Sequence, residues 1–207
     1  MGFDDMQSLN EQSEEVADFQ TVQSIIALSK SMSDFWSNAH GWAPDDAAKL
    51  LSKSRLDWQV SLSEALLIWV EKDTMSDGEL ILAWANLGAL AEGALKLFLS
   101  VYYQDFQADV GALKKANAYD HKKQSHKAPD GLTLDVLRRY ASEKDLFQES
   151  ERSLIHLIQE RRNAVHAFQN RELGTAAEFK KAVRGYLGFL KSVDSSIPYP
   201  HHNGYYL

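Results

Sequence analysis

Apolar positions recur along this chain every three to four residues, and no stretch alternates with a period of two. Residues 13–38 carry Val16, Phe19, Val22, Ile25, Ile26 and Leu28 at mostly helical spacing, until Gly41 and Trp42 break the pattern. Pro44, Asp45 and Asp46 then suit the first turn of a second helix, which runs to about Val70. Ser76 followed by Glu79 has the spacing of a capping box. It opens a third helix, 77–105, the most apolar and therefore predicted to be central. A polar connection over 106–131 ends in Ala128, Pro129, Asp130 and Gly131, a strong turn signal. A short fourth helix is predicted at 133–142 and a fifth at 145–168. Gly174 and Thr175 separate the fifth from a sixth at 175–193, whose stripe is Phe179, Val183, Tyr186, Leu187, Leu190 and Val193. Pro198 and Pro200 end helical structure. The expectation is an all-α, antiparallel bundle of five to six helices over 13–193. A flexible acidic arm (1–12), a long basic loop (106–131) and a tail (194–207) complete it.

Composition narrows the chemistry. Of 207 residues, 44% are hydrophobic, enough for a core without a disulfide or metal staple. There is no cysteine, which excludes disulfides, thiolate catalysis and cysteine-bound zinc, and fits a reducing compartment. The first residues lack the basic start and apolar stretch of a signal peptide. The most apolar run, 80–91, is too short to span a bilayer and is followed by Glu92 and Lys96. No membrane partner and a cytoplasmic location are therefore expected. The net charge of −7 argues against nonspecific duplex binding by the whole surface. The charge is uneven, however: residues 1–20 hold six acids and no Lys or Arg. Residues 112–127 hold five lysines, two histidines and one acid, and such a patch can bind a polyanion.

No Gly-rich phosphate loop, zinc-protease motif or nucleophile elbow is present. His156 and Glu160 share a helix face, and His201 and His202 are adjacent, but neither pair has further ligands in line. No metal site or cofactor is expected. Residues 161–166, Arg161, Arg162, Asn163, Ala164, Val165 and His166, stand out. On a straight helix Leu154, Ile158, Val165 and Phe168 form the apolar stripe of the fifth element. Arg161 falls near its centre, with Arg162 and His166 together on one flank and Asn163 beyond them. An arginine on such a seam is costly unless paired or facing a cavity. The plain alternative is an Arg161 bonded to helix ends or a neighbouring carboxylate, with His166 a satisfied bundle histidine.

The run Arg161 to His166 resembles the HEPN superfamily motif: an arginine, a polar residue, and a histidine after four to six intervening positions. It also sits where that family carries it, late in an all-α bundle before the last long helix. Arg161 has the family spacing to His166, with Arg162 in the polar slot. Arg162 and Asn163 have the frequent Arg-Asn order but leave only three positions before His166. Both assignments stay open at this point. The resemblance implies a metal-independent endoribonuclease that acts as a homodimer and drives the ribose 2′-OH onto the adjacent phosphate. A toxin or anti-phage defence effector, with an antitoxin protein as partner, belongs to the same implication. Catalysis would fall to Arg161, Arg162, Asn163 and His166. Histidine moves protons near neutral pH, and arginine offers a planar fork to phosphate oxygens. The rival class is a non-catalytic HEPN-like interaction or RNA-binding module.

RNA contact is also expected from Lys114, Lys115, Lys122, Lys123 and Lys127 of the basic loop, with Tyr119 available for base stacking. A merely solvated loop is the plain alternative. Trp36, Trp42, Trp58, Trp69 and Trp84 are read as core residues.

Overall fold

The computed structural model describes residues 3–40, 43–166 and 170–199, of which 3–14 by their backbone alone. Nine α-helices form among the described residues: α1 (Phe3–Trp36), α2 (Asp45–Lys53), α3 (Leu56–Val70), α4 (Asp77–Val101), α5 (Tyr103–Ala108), α6 (Val110–Lys115), α7 (Leu134–Glu143), α8 (Glu149–Arg162) and α9 (Ala176–Ser196). The all-α expectation holds. Two two-residue strands, β1 (Tyr119–Asp120) and β2 (Ser125–His126), pair antiparallel in register Tyr119 to His126. This small hairpin departs from the expectation of no sheet.

The apolar α4 is the hub, packing against α2, α3, α7, α8 and α9. By length and composition alone it could cross a bilayer, but most of that stretch is buried inside the bundle. Ser76 caps it as expected, with the Glu79 carboxylate accepting the Ser76 backbone N–H at 2.8 Å. α1 crosses α3 and α9 and supplies Val22, Ile25, Met32 and Trp36 to the core. Phe147 and Phe189 meet edge to face, with Phe98 on Phe147 and Tyr186 beside Phe189, closing the core beneath α8 and α9. Trp36 and Trp84 are buried as expected, and Trp69 is partly so, with its indole N–H on Asn86. Trp58 is exposed under the Arg55 guanidinium, and Trp42 lies outside the described residues.

Several boundaries differ from the sequence reading for local reasons. The single helix expected from Pro44 to Val70 is two, because Ser54 turns extended and its hydroxyl bonds back to the Leu51 carbonyl. The connection 106–131 is structured by α6, capped by Asp109, and by the hairpin. The helix expected over 145–168 begins only at Glu149, after Asp145 takes a left-handed φ of 49°. It ends at Arg162, and a 3-10 turn (Asn163–Val165) tightens the exit. α1 carries helical backbone into the segment expected to be a loose arm. The histidines at 201 and 202 lie outside the described residues.

Candidate functional site

The last turn of α8 sends its two arginines in different directions. Arg162 turns to α4: Nη1 donates to the Glu92 carboxylate at 2.9 Å, and Glu92 also pairs with Lys96 at 2.9 Å. Its stem lies on Gly88, where an added Cβ would come within 2.6 Å of Cδ. Only a glycine permits this approach.

Arg161 turns toward α9. Its side chain is 11% exposed and pairs with Glu172, which is 79% exposed, at 3.1 Å. Three contacts fix the segment that carries Glu172. The buried Trp84 indole donates to the Leu173 carbonyl at 2.8 Å. Gly174 follows with a φ of 75°, a conformation that suits glycine. Thr175 then caps α9 in a capping box with Glu178.

His166 leaves the 3-10 turn with an exposed imidazole that bonds to no other described residue. Asn163 is the C-cap of α8 and its carbonyl accepts the His166 backbone N–H at 3.2 Å. Ala164 is buried, whereas Val165 is exposed, so Val165 does not continue the apolar stripe. The stripe consists instead of the buried Ile155 and Ile158, with Leu154 packed against the core. Phe168 lies outside the described residues. α8 stops at Arg162, so Val165 and His166 do not hold the positions a straight helix would give them. Arg161, Arg162, Asn163 and His166 thus share one helix exit, while the two guanidinium groups serve opposite walls.

Arg161 lies at one end of a groove of about 630 Å³ between α8 and α9. Its floor is apolar, formed by Leu154, Leu157, Ala182 and Phe189, and Gly185 and Gly188 thin the α9 wall. Glu151, Ser192 and Gln148 lie at the other end, where the Ser192 hydroxyl bonds Glu151. Glu92, Glu172 and Lys181 escaped the sequence reading. The small and polar positions Lys181, Gly185, Gly188 and Ser192, spaced along one face of α9, were the available signal for the groove.

The basic residues cluster around the hairpin. Lys122 and Lys123 are exposed, and their backbone N–H groups bond the Asp120 carboxylate. These bonds, Lys123 foremost, hold Asp120 below the ordinary carboxylate range. Lys127 is exposed, and Lys115 is committed to Glu143. Tyr119 is already covered: Lys114 Nζ stands 5.0 Å from its ring centroid and His121 meets it edge-on. A stacking base would have to displace one of them. His126 Nε2 lies 2.7 Å from Tyr103 Oη, which ties the hairpin to α5. His156 lies 3.6 Å from Glu160 on the exposed face of α8. No group of three or more metal-ligating side chains forms among the described residues.

No protein-family model matches this chain. No curated protein and no solved structure matches it either.

Proposed function

We propose that the chain is a metal-independent endoribonuclease of HEPN type, with Arg161 binding phosphate and His166 carrying protons. The unequal tethering of the two arginines carries this reading. Arg162 is packed on Gly88 and paired with the mostly covered Glu92, so it anchors the helix end. Arg161 faces an open groove, and its carboxylate partner is mostly in water. An exposed ion pair contributes little, so a phosphate offering two parallel hydrogen bonds can replace Glu172. This favours Arg161 as the motif arginine, with Arg162 in the polar slot.

In the reaction the 2′ oxygen forms a bond to phosphorus and the phosphorus–5′ oxygen bond breaks. His166 accepts the 2′-OH proton, and the departing 5′ oxygen takes a proton from the imidazole of a second copy. Arg161 stabilises the charge on the phosphate oxygens. The products are a 2′,3′-cyclic phosphate and a 5′-hydroxyl. A homodimer fits the exposed apolar side chains Ile68, Leu82 and Val165, two of which lie on elements that meet, since the 163–165 turn packs on α4.

The test is incubation of purified protein with mixed RNA and DNA in EDTA. We expect RNA to be cut, DNA to be spared, and His166→Ala and Arg161→Ala each to lose most activity while remaining folded. Light scattering is expected to report a dimer at micromolar concentration; a monomer would remove the two-copy site. One observation favours a non-catalytic interaction module instead, namely that both arginines already carry a carboxylate. Intact RNA at high protein concentration would establish that second reading.

A further inference from the structure

The α8–α9 groove has the size and lining of a small-molecule site, apolar over most of its surface with a few polar groups at defined places. From Glu151 to Arg161 it follows ten residues of α8, about 15 Å. Its lining carries two cations, Arg161 and Lys181, and two carboxylates, Glu151 and Glu178. Glu178 is occupied by the Thr175 N–H, and Glu151 by the Gln148 N–H and the Ser192 hydroxyl. Lys181 makes no ion pair with another described residue, and Arg161 holds only the outward-lying Glu172 among them. Once the solvated Glu172 swings away, Arg161 and Lys181 outnumber Glu178 at that end and attract an anion, while the floor accepts a flat apolar body and the far end offers hydrogen-bonding groups.

We infer that this groove is a nucleotide-binding subsite. The phosphate sits on Arg161 and Lys181, the base lies over Leu154, Leu157 and Phe189, and its polar edge faces Gln148 and Ser192. Glu172 occupies the phosphate position until the nucleotide arrives. A plain alkyl carboxylate would make no use of the hydrogen-bonding groups at the far end, which disfavours it. The inference rests on reading Arg161 as a phosphate-binding residue, and it extends the contact from the reacting phosphate to a neighbouring nucleotide.

The groove can be filled without disturbing the fold. An added Cβ at Gly188 meets no atom within 4 Å, and the position is exposed in mid-helix. Gly188→Leu therefore obstructs the groove while improving helix propensity. Binding is measured by calorimetry with a 2′-deoxy trinucleotide, which lacks the reactive hydroxyl, and with inorganic phosphate and decanoate. We expect Gly188→Leu to weaken the trinucleotide about tenfold, the scale of losing one stacked base, and to leave phosphate unchanged. Arg161→Ala should weaken both, and Glu172→Gln should tighten both several-fold. Equal trinucleotide binding by wild type and Gly188→Leu overturns the subsite. So does binding of decanoate without the trinucleotide. Trinucleotide binding with this variant pattern, but no cleavage of RNA, overturns the nuclease reading alone.

Discussion

Arg161 and Arg162 are neighbours of the same residue type, yet their surroundings give them different work. Glu92 is largely covered and sits between Arg162 and Lys96, so neutralising it leaves a half-buried guanidinium poorly paired. Glu172 is mostly solvated, and Arg161 lines the open groove, where water takes the place of the neutralised carboxylate. We expect Glu92→Gln to cost about 1–2 kcal/mol, and Glu172→Gln less than about 0.5 kcal/mol. Urea denaturation of both variants checks this; equal costs would mean that the two arginines are held alike. The run 161–166 stands out in the sequence, but the direction of each guanidinium was not legible there. That direction depends on Gly88 and Glu92, seventy or more positions before Arg162, and on the Trp84 to Leu173 bond. Helical periodicity carries no information about such pairs.

Among the elements, those with strong periodicity and good caps were legible. α4 and α9 begin where Ser76 and Thr175 offer capping boxes, and α7 lies within a residue of its expected span. Illegible were the elements set by one residue's competing hydrogen bond or by local backbone. Ser54 divides α2 from α3, and Asp109 caps α6 inside what reads as a polar connection. The Ser76 cap also carries a pH dependence. The Ser76 backbone N–H first, and then Lys72, pull the Glu79 carboxyl from 4.5 down to about 2 in the folded chain. A lowered folded value means that the stabilisation is complete above the unfolded value and is lost as pH falls through the folded one. The start of α4 should therefore weaken between about pH 5 and pH 2. Thermal midpoints across that range should fall less steeply in Glu79→Gln than in wild type, the two curves converging at the acid end. Parallel curves would show that the cap does not titrate this way.

At the scale of the whole molecule, α1 must be held against α9 across a sequence separation of 166 residues, and the Asp18–Arg184 pair does this. Asp18 is 4% exposed and Arg184 41%. Removing either partner is not equivalent, because only the aspartate is left stranded away from water. We expect Arg184→Ala to cost about 2–4 kcal/mol and Asp18→Ala about 1 kcal/mol. Chemical denaturation of the two variants decides it, and the reverse order would show that α1 is held by its apolar face alone. The groove between α8 and α9 is fixed by similar means. Glu151 and Glu178 each cap one wall, and Glu151 also bonds across the gap to Ser192. Walls fastened in this way have little freedom left to lose, so an incoming molecule meets a seat whose ordering entropy was spent when the chain folded. Among the described residues, the rearrangement left on arrival is the departure of one solvated side chain, Glu172, a nanosecond event for an exposed group. Association in this groove should then proceed in a single kinetic phase, its rate set by diffusion and orientation and not by opening of the protein.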